Sequence, residues 1–202
     1  GAWPFEAGVL ETCEAALKVF DDLGVRVEAI APPFPAAKLW ESWTTLRSFS
    51  IACGTGILYD MPEMRAHLKE DAIWEVERGR SYSAMDIERA SLIRSDWLRA
   101  TAKLFADFDA IIMPTAQVWP FDGAEIWPRE IAGQAMDTYH RWMEVVIPVS
   151  LIGLPSLAVP AGFGANGLPI GLQIAGPRGS DLQMLQMGEG WHKAAPWAQR
   201  RP

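Results

Sequence analysis

From Ser156 to Ala175 the chain reads SLAVPAGFGANGLPIGLQIA, and no other stretch limits so sharply what it can fold into. Leu168, Ile170, Leu172 and Ile174 alternate with other residues at period two, which is a strand pattern. Ser156–Val159 is a short apolar run bounded by Pro155 and Pro160 and reads as a second strand. Asn166-Gly167 between them is a hairpin signal, because a tight primed turn requires φ above zero at its central positions. The same stretch holds Gly162-Phe-Gly-Ala-Asn-Gly167, which fits the dinucleotide string G-x-G-x-x-G letter for letter. That fingerprint works only where a helix N-terminus follows to receive the pyrophosphate. Here a strand follows, so the string is a turn and nucleotide binding is set aside.

The rest of the chain alternates helix signals with short strands. Leu10, Cys13, Leu17, Phe20 and Leu23 recur at helical spacing within 5–23, and Gly24 is a stop. Val25–Ala29 alternates like a strand before the extended Pro32-Pro33-Phe34-Pro35 connection. Leu39, Trp43, Leu46 and Ser50 predict a helix that frays near Gly54-Thr55-Gly56, and residues 60–80 carry helical potential. Ser83 and Asp86 resemble a capping box ahead of Ile87, Ala90, Ile93, Trp97, Leu104 and Phe108, so a long amphipathic helix is expected there. Ala110–Met113 reads as a buried strand stopped by Pro114, the segment 115–129 as an irregular loop, 132–146 as a helix, and a last helix starts at Ser180 or Asp181.

Composition narrows the chemistry. Half the residues are apolar, enough for one substantial core in 202 residues. A formal charge of −7, with the basic residues dispersed, argues against a nucleic-acid partner. Cys13 and Cys53 are too few for a disulfide framework, which fits a reducing, cytoplasmic setting. No apolar run reaches the length of a membrane span, so no membrane partner is expected, and the start Gly-Ala-Trp-Pro-Phe-Glu reads as cut. The three histidines, His67, His140 and His192, lie far apart without metal-ligand spacing, so no metal and no cofactor are expected. No G-x-S-x-G elbow anchors a serine triad, and Asp107 and Asp109 flank a helix-to-strand junction where polar residues are common. Among the ten tryptophans, Trp40, Trp43, Trp74 and Trp97 fall at helical core positions, whereas Trp119 and Trp127 sit in a proline-rich loop suited to lining an apolar cleft.

Pro148-Val-Ser-Leu-Ile-Gly-Leu-Pro155-Ser-Leu-Ala-Val-Pro160-Ala-Gly-Phe163, followed by Gly167-Leu-Pro-Ile-Gly-Leu-Gln-Ile-Ala-Gly-Pro177, strongly resembles the C-terminal part of amidase signature enzymes. Asp109-Ala-Ile-Ile-Met-Pro114-Thr115 resembles that family's strand ending in Pro-Thr, and the N-terminal helix with Val-Arg-Val-Glu resembles its helix and strand midway along the chain. Ser150 departs from the Asn that many members carry.

The resemblance implies an α/β fold, the C-terminal part of the amidase signature fold, with a mixed sheet flanked by helices, and residues 1–202 as the C-terminal portion of an amidase domain. It implies hydrolysis of a carboxylic amide by a serine assisted by a cis-serine and a lysine. Those three belong to an earlier half of the family's chain, and neither its Gly-Gly-Ser-Ser-Gly-Gly-Ser stretch nor any Ser-Ser pair occurs here. An unactivated serine is a poor nucleophile without a base within reach and an oxyanion site. The expectation is therefore a chain with no catalytic residue of its own. It partners a small-molecule amide, and it is stable only with an N-terminal catalytic portion or else self-associates through the unpaired edges of strands 25–30, 110–113, 156–160 and 169–175. Candidate substrate-binding residues are Trp43 and Arg47, on one helix face near the Gly-x-Gly break, and Trp142, Met143 and Val146, just before Pro148. A transamidating component of the glutamyl-tRNA amidotransferase type and a non-catalytic binding or scaffold domain are the alternatives. The first requires paired charges for a glutamine zwitterion, where the tryptophan-rich loops favour a bulkier, less polar substrate.

Overall fold

The structure, a computed structural model, describes residues 2–197 and Arg200. In chain order the elements are α1 (Val9–Ala16), α2 (Lys18–Asp22), α3 (Ala36–Tyr59), α4 (Pro62–Arg65), α5 (Glu70–Ser81), α6 (Ala84–Leu104), β1 (Ile111–Pro114), β2 (Glu130–Ile131), β3 (Gln134–Ala135), a 3₁₀ helix (Arg141–Val146), α7 (Ile147–Ile152), β4 (Ser156–Phe163), β5 (Pro169–Ala175) and α8 (Asp181–Ala194). They form two compact units, one of residues 1–33 with 101–202 and one of residues 34–100.

The first unit is built on the hairpin. β4 and β5 pair antiparallel and β1 adds to the other side of β5, giving the order β1-β5-β4. Helix and sheet combine as expected, and every strand pairing among the described residues is antiparallel. Pro160 lacks a ladder donor, and β4 accommodates it as an edge strand with a register shift between Pro160 and Gly162. Its carbonyl instead accepts from the indoles of Trp191 at 3.0 Å and Trp197 at 2.8 Å. Val159, Leu172 and Ile174 meet Val9, Cys13, Phe20 and Trp191 in the main core, where the Phe20 and Trp191 rings tilt against each other with centroids 4.8 Å apart.

The expected 5–23 helix is divided at Leu17, whose N–H bonds Glu14 O, three residues back. It stops where the sequence says. Gly24 adopts φ 70°, its N–H bonds Asp21 O at 3.0 Å and Val25 N–H bonds Phe20 O at 2.9 Å, the paired bonds of a Schellman motif.

Residues 25–30 correct one expectation. They are not a strand of the sheet, and no ladder partner reaches them among the described residues. Val27 packs onto the core while Val25, Ala29 and Ile30 are exposed, so the alternation marks neither a buried face nor a hydrogen-bonded ladder. Residues 132–146 correct another. Ala132 (φ 49°) and Gly133 (φ 79°) form the turn of the β2–β3 hairpin in place of a helix. Ile131 and Met136 are buried with Val118 and Trp127 in a small second core. Met143, at φ −111° and ψ 21°, interrupts the 3₁₀ segment, and Pro148 opens α7 in its first turn.

In the second unit α3 and α5 pack closely and α6 completes the cluster. α3 runs through Gly54 and Gly56 without fraying. Arg80 accounts for this at Gly56, since its Nη2 donates to the Gly56 carbonyl at 3.2 Å while the same guanidinium grips Asp60 at 2.7 Å. The capping box forms in full: Ser83 N–H donates to Asp86 Oδ2 at 3.0 Å and Asp86 N–H to Ser83 Oγ at 3.2 Å.

Candidate functional site

The chain leaves β1 at Pro114, and the Thr115 N–H extends the ladder by donating to Gly171 O at 2.9 Å. Beyond it an irregular loop is pinned by buried polar groups. Gln117 Nε2 donates to Pro4 O at 3.0 Å, and its Oε1 accepts from Val145 N–H at 3.1 Å. Trp119 donates its backbone N–H to Glu6 at 2.8 Å and its indole N–H to Ala7 O at 3.0 Å. From β5, Gln173 Nε2 donates to Pro114 O at 2.9 Å and Val145 O at 3.2 Å. Two buried glutamines thus hold both backbone groups of Val145, fixing the 3₁₀ segment against the sheet.

These contacts frame an open cleft of about 340 Å3. Trp119, Pro120, Phe121 and Trp142 supply aromatic and ring walls, and Pro169, Ile170 and Gly171 of β5 also line it. Phe121 meets Trp142 edge-on, centroids 5.5 Å apart at 89°. Gly171 permits close packing beside the cleft, because a Cβ there would lie 2.9 Å from Thr115 Oγ1 and 3.0 Å from Val159 O. Among the described residues Thr115 contributes the one side-chain hydroxyl, and no titratable side chain lines the cleft.

The charges near it are committed elsewhere. Buried Glu144 binds Arg141 at 3.1 Å, and Arg141 also binds Asp137 at 2.9 Å, a hydrogen bond that holds the Asp137 carboxyl below the usual carboxylate range. His140 is buried edge-on to Tyr139. Among the described residues no group of three His, Cys, Asp or Glu is placed to hold a metal ion, and no helix is long and apolar enough to cross a membrane. The arrangement can seat a flat apolar group and orient it. Among the described residues that line it there is no base, acid or activated nucleophile.

Of the candidate residues, Trp142 lines this cleft, while Met143 and Val146 share its 3₁₀ segment, half-buried. Trp43 and Arg47 lie together in the helical unit, the guanidinium 5.2 Å from the ring centroid, but Arg47 is engaged by buried Glu75 through bonds of 2.9 and 3.3 Å. Burial raises the Glu75 carboxyl in spite of that cation. Of the two loop tryptophans, Trp119 is a cleft wall and Trp127 is buried in the second core beneath Arg129, 3.7 Å from its ring centroid. Thr115, Phe121 and Gly171 went unpredicted. The Pro-Thr end of β1 is the one sequence signal that pointed toward them.

Comparison with known proteins gives a consistent picture. The family model described as Amidase matches residues 1–185. The chain is 26% identical over 197 residues to an acylamidase of Rhodococcus erythropolis, covering 96% of this chain and 40% of that protein. It is 27% identical over 215 residues to a glutamyl-tRNA(Gln) amidotransferase component from Streptococcus equi subsp. zooepidemicus, covering 96% of this chain and 43% of that protein. In fold it is similar to the crystal structure of a bacterial aryl acylamidase of the amidase signature family, with a TM-score of 0.83 at 24% identity over 99% of this chain and 44% of that one. The chain therefore spans about two fifths of the length of these relatives.

Proposed function

The chain belongs to the amidase signature family, and from that premise we propose that it is the substrate-pocket portion of an amide hydrolase whose nucleophile is supplied by a portion of the protein outside residues 1–202. The observation that carries this reading is the cleft itself. It is apolar, walled by Trp119, Phe121 and Trp142, and among the described residues no titratable group lines it. Amide hydrolysis needs a base to activate the nucleophile, donors for the oxyanion and a proton for the leaving amine. In this reading a serine, a cis-serine and a lysine outside the chain carry those steps, and residues 115–121, 142 and 169–171 seat the apolar substituent of the amide so that its carbonyl is presented to them.

A glutamine substrate would call for paired charges, and the lining offers none, so an amide with a bulky apolar group is favoured over transamidation. The test is Trp142→Ala in the whole enzyme. For an amide bearing an aromatic ring, kcat/KM falls about tenfold or more, from lost burial of the ring, while acetamide turnover is unchanged. Equal losses on both substrates would assign Trp142 to the core instead.

A further inference from the structure

The helical unit carries a second hollow, which the amide-hydrolase reading does not use. Its volume is about 360 Å3, with Trp40, Thr44 and Thr45 on α3, Arg78 on α5, Tyr82 at the end of α5, and Arg89 on α6. Arg78 gives it its chemistry. Its Nε donates to Tyr82 Oη at 2.7 Å and its Nη2 reaches Thr44 Oγ1 at 3.5 Å. The guanidinium lies 5.0 Å from the Trp74 ring centroid and 5.9 Å from that of Tyr82. All of these partners are neutral. Among the described residues no carboxylate comes within ion-pair distance of Arg78, and Glu75, which senses its charge from farther off, is already gripped by Arg47. A half-buried guanidinium oriented by neutral groups is prepared to receive an anion through its fork.

The surroundings specify which anion. Arg89 adds a second guanidinium, loosely paired with Asp86 at 3.6 Å, and Asp86 is itself engaged by Ser83. Glu41 also lines the hollow, so its two cations and two anions sum to zero, which disfavours a multiply charged ligand such as a phosphate. Trp40 offers a flat apolar wall, held by stacking on Trp43 with centroids 6.4 Å apart at 25°. Thr45, only 7% exposed, lines the hollow with a hydroxyl that no group among the described residues engages. The volume lies within the range of small-ligand sites, which begins at about 300 Å3.

We propose that this hollow binds a small aromatic monocarboxylate, its carboxylate on Arg78 and its ring against Trp40. The probe is benzoate, titrated calorimetrically into the 202-residue chain at fixed low ionic strength. Saturable one-to-one binding is expected, with a Kd of about 1 mM or tighter. Arg78→Gln weakens it at least about tenfold, as loss of charge-assisted hydrogen bonds does. Arg78→Lys, which keeps the charge but loses the fork, also weakens it and serves in its place should the Gln variant lose its circular dichroism melt. Arg99→Gln, an exposed α6 position paired with Asp96, leaves binding unchanged. Benzyl alcohol, the same ring without the charge, binds at least about tenfold more weakly. The proposal is overturned by absence of saturable binding, by benzoate affinity untouched in both Arg78 variants, by benzyl alcohol binding as well as benzoate, or by inorganic phosphate displacing benzoate at equal concentration.

Discussion

Gly79 and Gly54 both lie inside helices of the 34–100 unit, and only one of them has to be glycine. A Cβ on Gly79 would fall 2.1 Å from Ser48 O and 2.7 Å from Ala52 Cβ, forcing α3 and α5 apart, whereas a Cβ on Gly54 meets nothing within 4 Å. Gly79→Ala is expected to lower stability by about 1–3 kcal/mol through overpacking. Gly54→Ala is expected to be neutral or to stabilise by up to about 1 kcal/mol through helix propensity. Urea unfolding of the two variants side by side checks the pair. The cysteines divide in the same way. Cys13 is buried and Cys53 is exposed, and burial, with Glu14 adding to it, pushes the Cys13 thiol up to about 11. A thiol reagent at neutral pH should therefore label Cys53 alone in the folded chain, and both once it is unfolded.

At the scale of elements, the box between Ser83 and Asp86 makes the start of α6 sensitive to mutation and to pH. Ser83→Ala should cost about 1 kcal/mol, the usual loss for a helix cap. Ser83 holds the Asp86 carboxyl below its ordinary 3.8, so the stability Asp86 adds is present above that value and is lost as pH falls through the lowered one. Glu75 has the opposite sign. Burial raises its carboxyl above the ordinary 4.5, so its contribution is present below that value and is lost as pH rises through the raised one. Unfolding free energy against pH should lose its acid-side fall in Asp86→Asn and the decline above 4.5 in Glu75→Gln. The cap, the Gly24 stop and the hairpin were legible because each rests on interactions a few residues apart. Segment 132–146 was not, since the turn at Ala132 and Gly133 and the burial of Ile131 and Met136 depend on a small core shared with Val118 and Trp127, which lie outside the segment. The continuity of α3 past Gly56 depends on Arg80, twenty-four residues away in sequence, which no local pattern contains.

For the whole molecule, the sheet decides how the chain behaves alone. The outer sides of β1 and β4 have no strand partner among the described residues, Ala158 is exposed, and Ile111 and Met113 are half-exposed. Open edges and bare apolar surface promote association. Sedimentation of the purified chain should show concentration-dependent association together with binding of an apolar-surface dye. A dye-silent, cooperative monomer would mark the chain as self-sufficient. The cleft was legible only in part for a related reason. Trp142 was found through the segment leading into the Pro148 stretch and Trp119 through its proline-rich loop. Thr115, Phe121 and Gly171 become neighbours only when β1 and the loop after it pack beside β5.

The most direct test of the central claim is amide hydrolysis by the purified 202-residue chain, assayed with aryl and aliphatic amides. The account predicts no turnover above the buffer rate, because in the proposed reading the cleft seats the substrate while, among the described residues, no group that activates a nucleophile lines it. Turnover that stays constant through purification, and disappears when a single serine within residues 1–202 is replaced, would contradict it.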